Sequence, residues 1–303
     1  MPRVDRRPRR SAAVNLPGTA LLGAVLALTA ACSEAGPASS APSSAPAAVA
    51  SAAVAYGLPA DLTPMLLPAT GPDTRLTQGL DGFASLVRDR ATRACLSAAG
   101  VRMPDAPPAM FIRLFEIPDL DHISRNGFSP TAVPGAAPSG PAPSDAAGPA
   151  DSAVQRRCGA EGDAAAGSLH SLYGPLQNRW LTGLAAVEKE APVVAARQQL
   201  PGCLAGRAIR ADGEQSFFDQ VDRALQTAGT PDAARTEDLR LGAAYAACMQ
   251  PVEAQREPLR AALRAGFVRE HEGELDAARK ALPQRVAELE RRYSVRFGVP
   301  AEG

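Results

Sequence analysis

The chain has 303 residues, 32 basic and 32 acidic side chains and no net formal charge. Only two of the cations are lysines, Lys189 and Lys280, and aromatics make up 4% of residues. That balance, which becomes about 4 charges negative without residues 1–31, argues against a nucleic-acid binder, since those need a basic face. It also sets the expectation of one modest core of Leu, Ala and Val, and not two.

The first 31 residues carry five arginines and one acid, Asp5, followed by an apolar run that ends Leu28-Thr29-Ala30-Ala31-Cys32. A positive start, an apolar middle and small residues at the end form a secretory signal pattern. Placed directly before a cysteine, the pattern resembles a bacterial lipobox, although Thr29 stands where leucine is usual. The resemblance implies removal of residues 1–31, lipidation of Cys32 (palmitate among the acyl chains), and a mature protein about 4 charges negative. An ordinary cleaved signal or an uncleaved membrane helix are the alternatives. The apolar segment could barely span a bilayer, since about 20 mainly apolar residues are needed and Asn15, Pro17 and Gly23 interrupt it. Arg9-Arg10 lacks the hydrophobic pair that a twin-arginine route needs. Stable anchoring takes two lipid signals, which a diacylated cysteine supplies.

Residues 32–60 are almost wholly Ala, Ser, Pro and Gly, and read as a disordered tether. A single helical domain is expected over 61–298, with a Pro/Ala/Gly-rich loop at 129–150 inside it. Leu76, Leu80, Phe83, Val87, Ala91 and Ala94/Cys95 recur every three or four residues, which predicts an amphipathic helix ending near Gly100. Residues 109–117 are the best strand candidate, or the start of another helix, closed by Pro118.

Beyond the loop, residues 168–189 carry a helical pattern broken by Gly174-Pro175. Phe217, Val221 and Leu225 mark a short helix. Leu241, Tyr245 and Cys248 mark another, with Thr236-Glu237-Asp238 as its cap. From Leu259 to Tyr293 a last helical pattern could extend roughly 50 Å; Pro283 should kink or divide it, and Gly266 and Gly273 weaken its middle. The fold class is mainly α, a disulfide-stapled helical domain with an N-terminal tether and an internal loop.

Besides Cys32 the cysteines are Cys95, Cys158, Cys203 and Cys248. An even number outside the cytoplasm points to two disulfides, and four cysteines allow three pairings. The pairing expected is Cys95 with Cys158 and Cys203 with Cys248, each closing a loop of moderate length. No C-x-x-C pair supports zinc or redox chemistry. The segment Arg93–Val101 resembles the A-C-M-x-x-x-G-[FVY] motif of uncharacterised actinobacterial lipoproteins. So do Glu237–Leu241 and Ala244–Cys248, which lead into a long charged helix at 252–295. The match is loose, covers about half the mature chain and departs at Cys203, which Leu204 follows where methionine is expected. It implies a secreted, disulfide-linked helical domain and brings no activity with it.

The histidines are His122, His170 and His271. His122 follows Asp119 and Asp121, a superficial metal or acid–base set that serves equally as helix capping. His170 has no acidic neighbour in sequence, and His271 lacks a second histidine and belongs on a solvated helix face. No G-x-S-x-G, P-loop or G-x-G-x-x-G occurs. Arg256, Arg260, Arg264, Glu270, Glu274, Arg279, Arg285, Glu288, Arg291 and Arg292 read as a solvated face, or as a surface for a helix or an anionic polymer. The expectation is a lipid-anchored protein on the outer face of the plasma membrane, without catalytic residues, metal or other cofactor. Its role would be binding or scaffolding, with an envelope protein or cell-wall polymer as partner. The rival is a cell-wall hydrolase using His122 with Asp119 or Asp121.

Overall fold

Thr70 opens the first long helix with a reciprocal cap: its hydroxyl accepts from Asp73 N (3.3 Å) while Asp73 Oδ2 accepts from Thr70 N (3.1 Å). That helix, α2 (Gly71–Ala98), ends where the pattern placed its end. Gly100 N donates to Ser97 O and Val101 N to Leu96 O, with Gly100 at φ 77°. A left-handed residue that closes both bonds favours glycine.

A computed structural model of the chain describes residues 54–101, 103, 109–110, 117–129, 131–132 and 152–300. The leader, Cys32, most of the expected tether, most of the 109–117 strand candidate and most of the 129–150 loop lie outside the described residues. Among those described, helices dominate, so the fold is mainly α as expected. They are α1 (Thr63–Leu66), α2, α3 (Leu120–Asn126), α4 (Ser152–His170), α5 (Gly174–Leu184), a 3-10 turn (Val187–Lys189), α6 (Ala191–Arg197), α7 (Leu200–Ala205), α8 (Glu214–Thr227), α9 (Pro231–Glu270) and α10 (Glu272–Tyr293).

The strands are short. β1 (Val54–Tyr56) pairs antiparallel with β4 (Gly298–Pro300), and β2 (Ala109–Met110) with β3 (Thr131–Ala132). Among the described residues pairing starts at Val54, inside the stretch that composition assigned to the tether. The ladder to β4 fixes these residues although their side chains bury little.

Both disulfides are those expected: Cys95–Cys158 joins α2 to α4, and Cys203–Cys248 joins α7 to α9. Among the described residues the hydrophobic side chains gather in two clusters, not the single one expected. The first takes aliphatic side chains from α1, α2, α4, α5 and α10, around Trp180, Phe83 and Phe297. Trp180 Nε1 donates to Pro68 O at 2.9 Å, which satisfies the indole in full burial. The second is built from α3, α6, α7, α8 and the first half of α9, around Phe128, Phe217, Phe218 and Tyr245, whose ring centres lie 5.2–5.9 Å apart. An aromatic-poor chain sustains a second core by concentrating its rings. Leu263 on α9 packs against both clusters.

The C-terminal half departs from the pattern in two ways. α9 is one 40-residue helix that includes Pro251 and Pro258, so the short cysteine helix and the start of the charged one are continuous. The break falls at His271, and Pro283 lies inside α10. Each proline removes one i→i−4 bond. Packing on both sides of α9 outweighs that loss, while the junction beside Gly273 has only weak helix propensity to lose. Thr236–Asp238 do not cap it either: Thr230 does, its hydroxyl accepting from Ala233 N at 3.2 Å.

Candidate functional site

The apolar stripe of α9 runs Leu241, Tyr245, Met249, Val252, and its next positions are Arg256 and Arg260. Both arginines are buried, 2% and 1% exposed, and are not on the solvated face where the sequence placed them. Arg256 meets Glu253 Oε1 at 2.9 Å, Glu188 Oε2 at 2.7 Å and Glu214 Oε2 at 3.4 Å. Arg260 pairs with the other oxygen of Glu253 and donates from Nε to Ala69 O at 2.7 Å. One turn further, Arg264 binds Asp73 Oδ2 at 2.7 Å.

The ladder continues sideways. Arg197 of α6 pairs with Glu188 of the 3-10 turn, and Tyr245 Oη donates to Glu214 Oε1 at 2.8 Å. Burial first, and then the Glu214 carboxylate, push the Tyr245 phenol well above its usual range. Burial lowers the Arg197 guanidinium, with Arg256 adding to the effect. These groups bind the elements of the second core to the Leu67–Asp73 segment of the first. A buried ion pair gains little net stability but is costly to break on one side.

Beside this ladder lies a cleft of about 230 Å³ between the α2 N-terminus, α3 and α9. Its carboxylates are Asp119, Asp121, Glu253 and Glu257. Asp119 is 2% exposed, pairs with Arg75 Nε at 2.6 Å and caps α3 by accepting from His122 N at 3.0 Å. Glu253 is held by Arg256 and Arg260, and the exposed Asp121 and Glu257 stand at the rim. Among the described residues no group of three His, Cys, Asp or Glu side chains is placed to hold a metal ion.

The three histidines occupy different settings. His122 is 7% exposed on α3, and its Nδ1 meets Asn126 Nδ2 at 3.3 Å. Burial holds its imidazole below the usual histidine value, against the pull of Asp119. The structure thus makes Asp119 a cap and an arginine partner, engaging the backbone of His122. His170 packs edge-on to Tyr173, ring centres 5.1 Å apart. His271 sits at the α9–α10 junction and not on a solvated face, its ring 4.2 Å from that of Phe267 and its Nδ1 3.2 Å from Glu274 Oε1.

Asp238 is the residue that sequence reasoning misplaced most. It is fully buried inside α9 and accepts from Phe128 N at 2.6 Å and Ser129 N at 3.0 Å, 110 and 109 residues away. It ties the chain after α3 to α9. Gly242, one turn on, lets the backbones approach, because a Cβ there would run into Ile123 O. The signal for Arg256 and Arg260 was the phase of the apolar stripe; Asp238 has none, since its partners are distant in sequence.

Among the described residues no helix is long and apolar enough to cross a membrane, and Cys32 lies outside them. No protein-family profile, no curated protein and no solved structure matches the chain.

Proposed function

We propose that this protein is a lipid-anchored lipoprotein on the outer face of the plasma membrane, acting by non-catalytic binding or scaffolding in the cell envelope. The observation that carries the non-catalytic part is the state of the buried carboxylates beside the cleft. Asp119 and Glu253 are already engaged by Arg75 and by Arg256 and Arg260, so neither is poised as a base or nucleophile. The lipobox-like Leu28–Cys32 supports the anchor. Two disulfides favour an oxidising compartment, in keeping with the lipoprotein family that Arg93–Val101 and Ala244–Cys248 resemble. Partners would be an envelope protein or a cell-wall polymer.

The test is metabolic labelling with an alkyne fatty acid, followed by membrane fractionation of the wild type and Cys32→Ala. The wild type should take up label and sediment with membranes, and the variant should do neither. A wild type that stays unlabelled would sink the anchor. For the hydrolase alternative the discriminating variant is His122→Ala, with wall turnover as the readout. Turnover should not change, and a loss would return His122 to a catalytic role.

A further inference from the structure

The segment 117–129 crosses the second core as a strap held at both ends. At its start Thr74 donates to Ile117 O at 2.8 Å and Arg75 pairs with Asp119; at its end Asp238 receives Phe128 N and Ser129 N. Between them sits His122, whose side chain is buried against the rest of the unit. We propose that this strap is proton-operated: uptake of a proton by His122 weakens the seat of α3 on α9 and alters the cleft that α3 helps to line.

Two features of the geometry carry this. The Asn126 amide nitrogen is a donor, so its contact at 3.3 Å with Nδ1 needs the ring nitrogen as acceptor, which a protonated imidazole does not offer. His122 is 7% exposed, so water does little to solvate a new charge there. The surrounding charge is mixed: Asp119 favours a cation, and Arg75 and Arg125 oppose it. Arg75 comes from α2 and Arg125 from α3 itself, while Asp119 is already bound to Arg75. From α9, Arg235 donates to Asn126 O and Asp238 holds the strap's end, and Glu253 and Glu257 lie across the cleft.

The sign follows. Burial, opposed by Asp119 and helped by Arg75 and Arg125, keeps the seated imidazole below its ordinary value, whereas a lifted strap frees it to titrate near about 6.5. The seat is therefore complete above about pH 6.5 and weakens as pH falls below it, until the seated ring itself takes the proton.

Hydrogen exchange of the full chain, corrected for intrinsic rates, tests this at pH 7.5 and 5.0. In the wild type the amides of 120–129 should open several-fold more at the lower pH, with those of α2 unchanged. In His122→Gln the difference should vanish. Equal protection at both pH values, or the same loss in His122→Gln, overturns the proposal. Should His122→Gln not fold, the His122 ring proton is titrated by NMR in the wild type. A midpoint at or above about 6.5 overturns the proposal, and a lower one supports it. None of this depends on where the protein resides.

Discussion

The two hydrophobic clusters are built by different means. The first joins segments far apart in sequence, from Leu62 to Val87, Leu169 to Leu184 and Leu275 to Val299, carried mostly on long helices. The second collects the short helices α3, α6 and α7, with the 14-residue α8, around the first half of α9. A helix of six or seven residues has almost no stability of its own. The second cluster accordingly holds four packed aromatic rings, a disulfide within it (Cys203 and Cys248) and the buried ion ladder. The first has its disulfide, Cys95–Cys158, between α2 and α4 and outside the cluster itself. Long helices need an apolar stripe; short ones need cross-links.

Cutting the two disulfides separately tests that contrast. By chain entropy both cost about 4 kcal/mol, because loops of this length differ little. Cys203→Ser with Cys248→Ser should cost more than Cys95→Ser with Cys158→Ser: Cys158 is as buried as Cys248, but only the Cys203–Cys248 pair packs in a hydrophobic cluster, whose short α7 it cross-links to α9. Thermal denaturation should show a fall of roughly 8–16 °C for the first pair, and a smaller one for the second. The reverse order would mean the α2–α4 pair depends on its staple more than the second cluster does.

Glu253→Ala comes next and strikes the joint between the clusters. It removes the Glu253 carboxylate from Arg260 and leaves Arg256 with Glu188 and Glu214. Removing one partner of a buried pair costs about 3 kcal/mol or more, measured by urea denaturation. A change under about 0.5 kcal/mol would show that water replaces the lost partner and that the ladder does not join the clusters. Asp238→Asn is milder at about 1 to 2 kcal/mol, since the amide oxygen still accepts from one backbone N–H. Its effect should be confined to exchange protection around Phe128 and Ser129.

How far this was readable in the sequence follows the same division. The α2 stripe, the stop at Gly100, the break at Gly174-Pro175 and α8 were legible because each rests on neighbours within one helical turn. The unbroken course of α9 through Pro251 and Pro258 was not, because tertiary packing overrides local propensity there. Asp238 carried the signature of a cap and does cap a chain segment, but one 110 residues away. Arg256 and Arg260 looked like solvated charges, since arginine is rarely buried unless paired. The pairing of Arg256 with Glu188 and Glu214 depends on how α8 and the 3-10 turn fold back.

The smallest effect expected is on the outer face of α10, and it bears on function. Arg285 and Glu288 pair at 2.9 Å with side chains 35% and 49% exposed. Such a pair contributes about 0.5 kcal/mol at most. Arg285→Glu should therefore leave the melting temperature within about 2 °C of the wild type. Stability that does not move is what makes this face informative: in cells, crosslinking of the envelope with the variant then reads binding alone. Crosslinks that persist mean the charges only solvate the helix. Crosslinks lost at full stability mean that α10 is the surface a partner reads, and that the charged ladder buried along α9 serves to hold that surface in place.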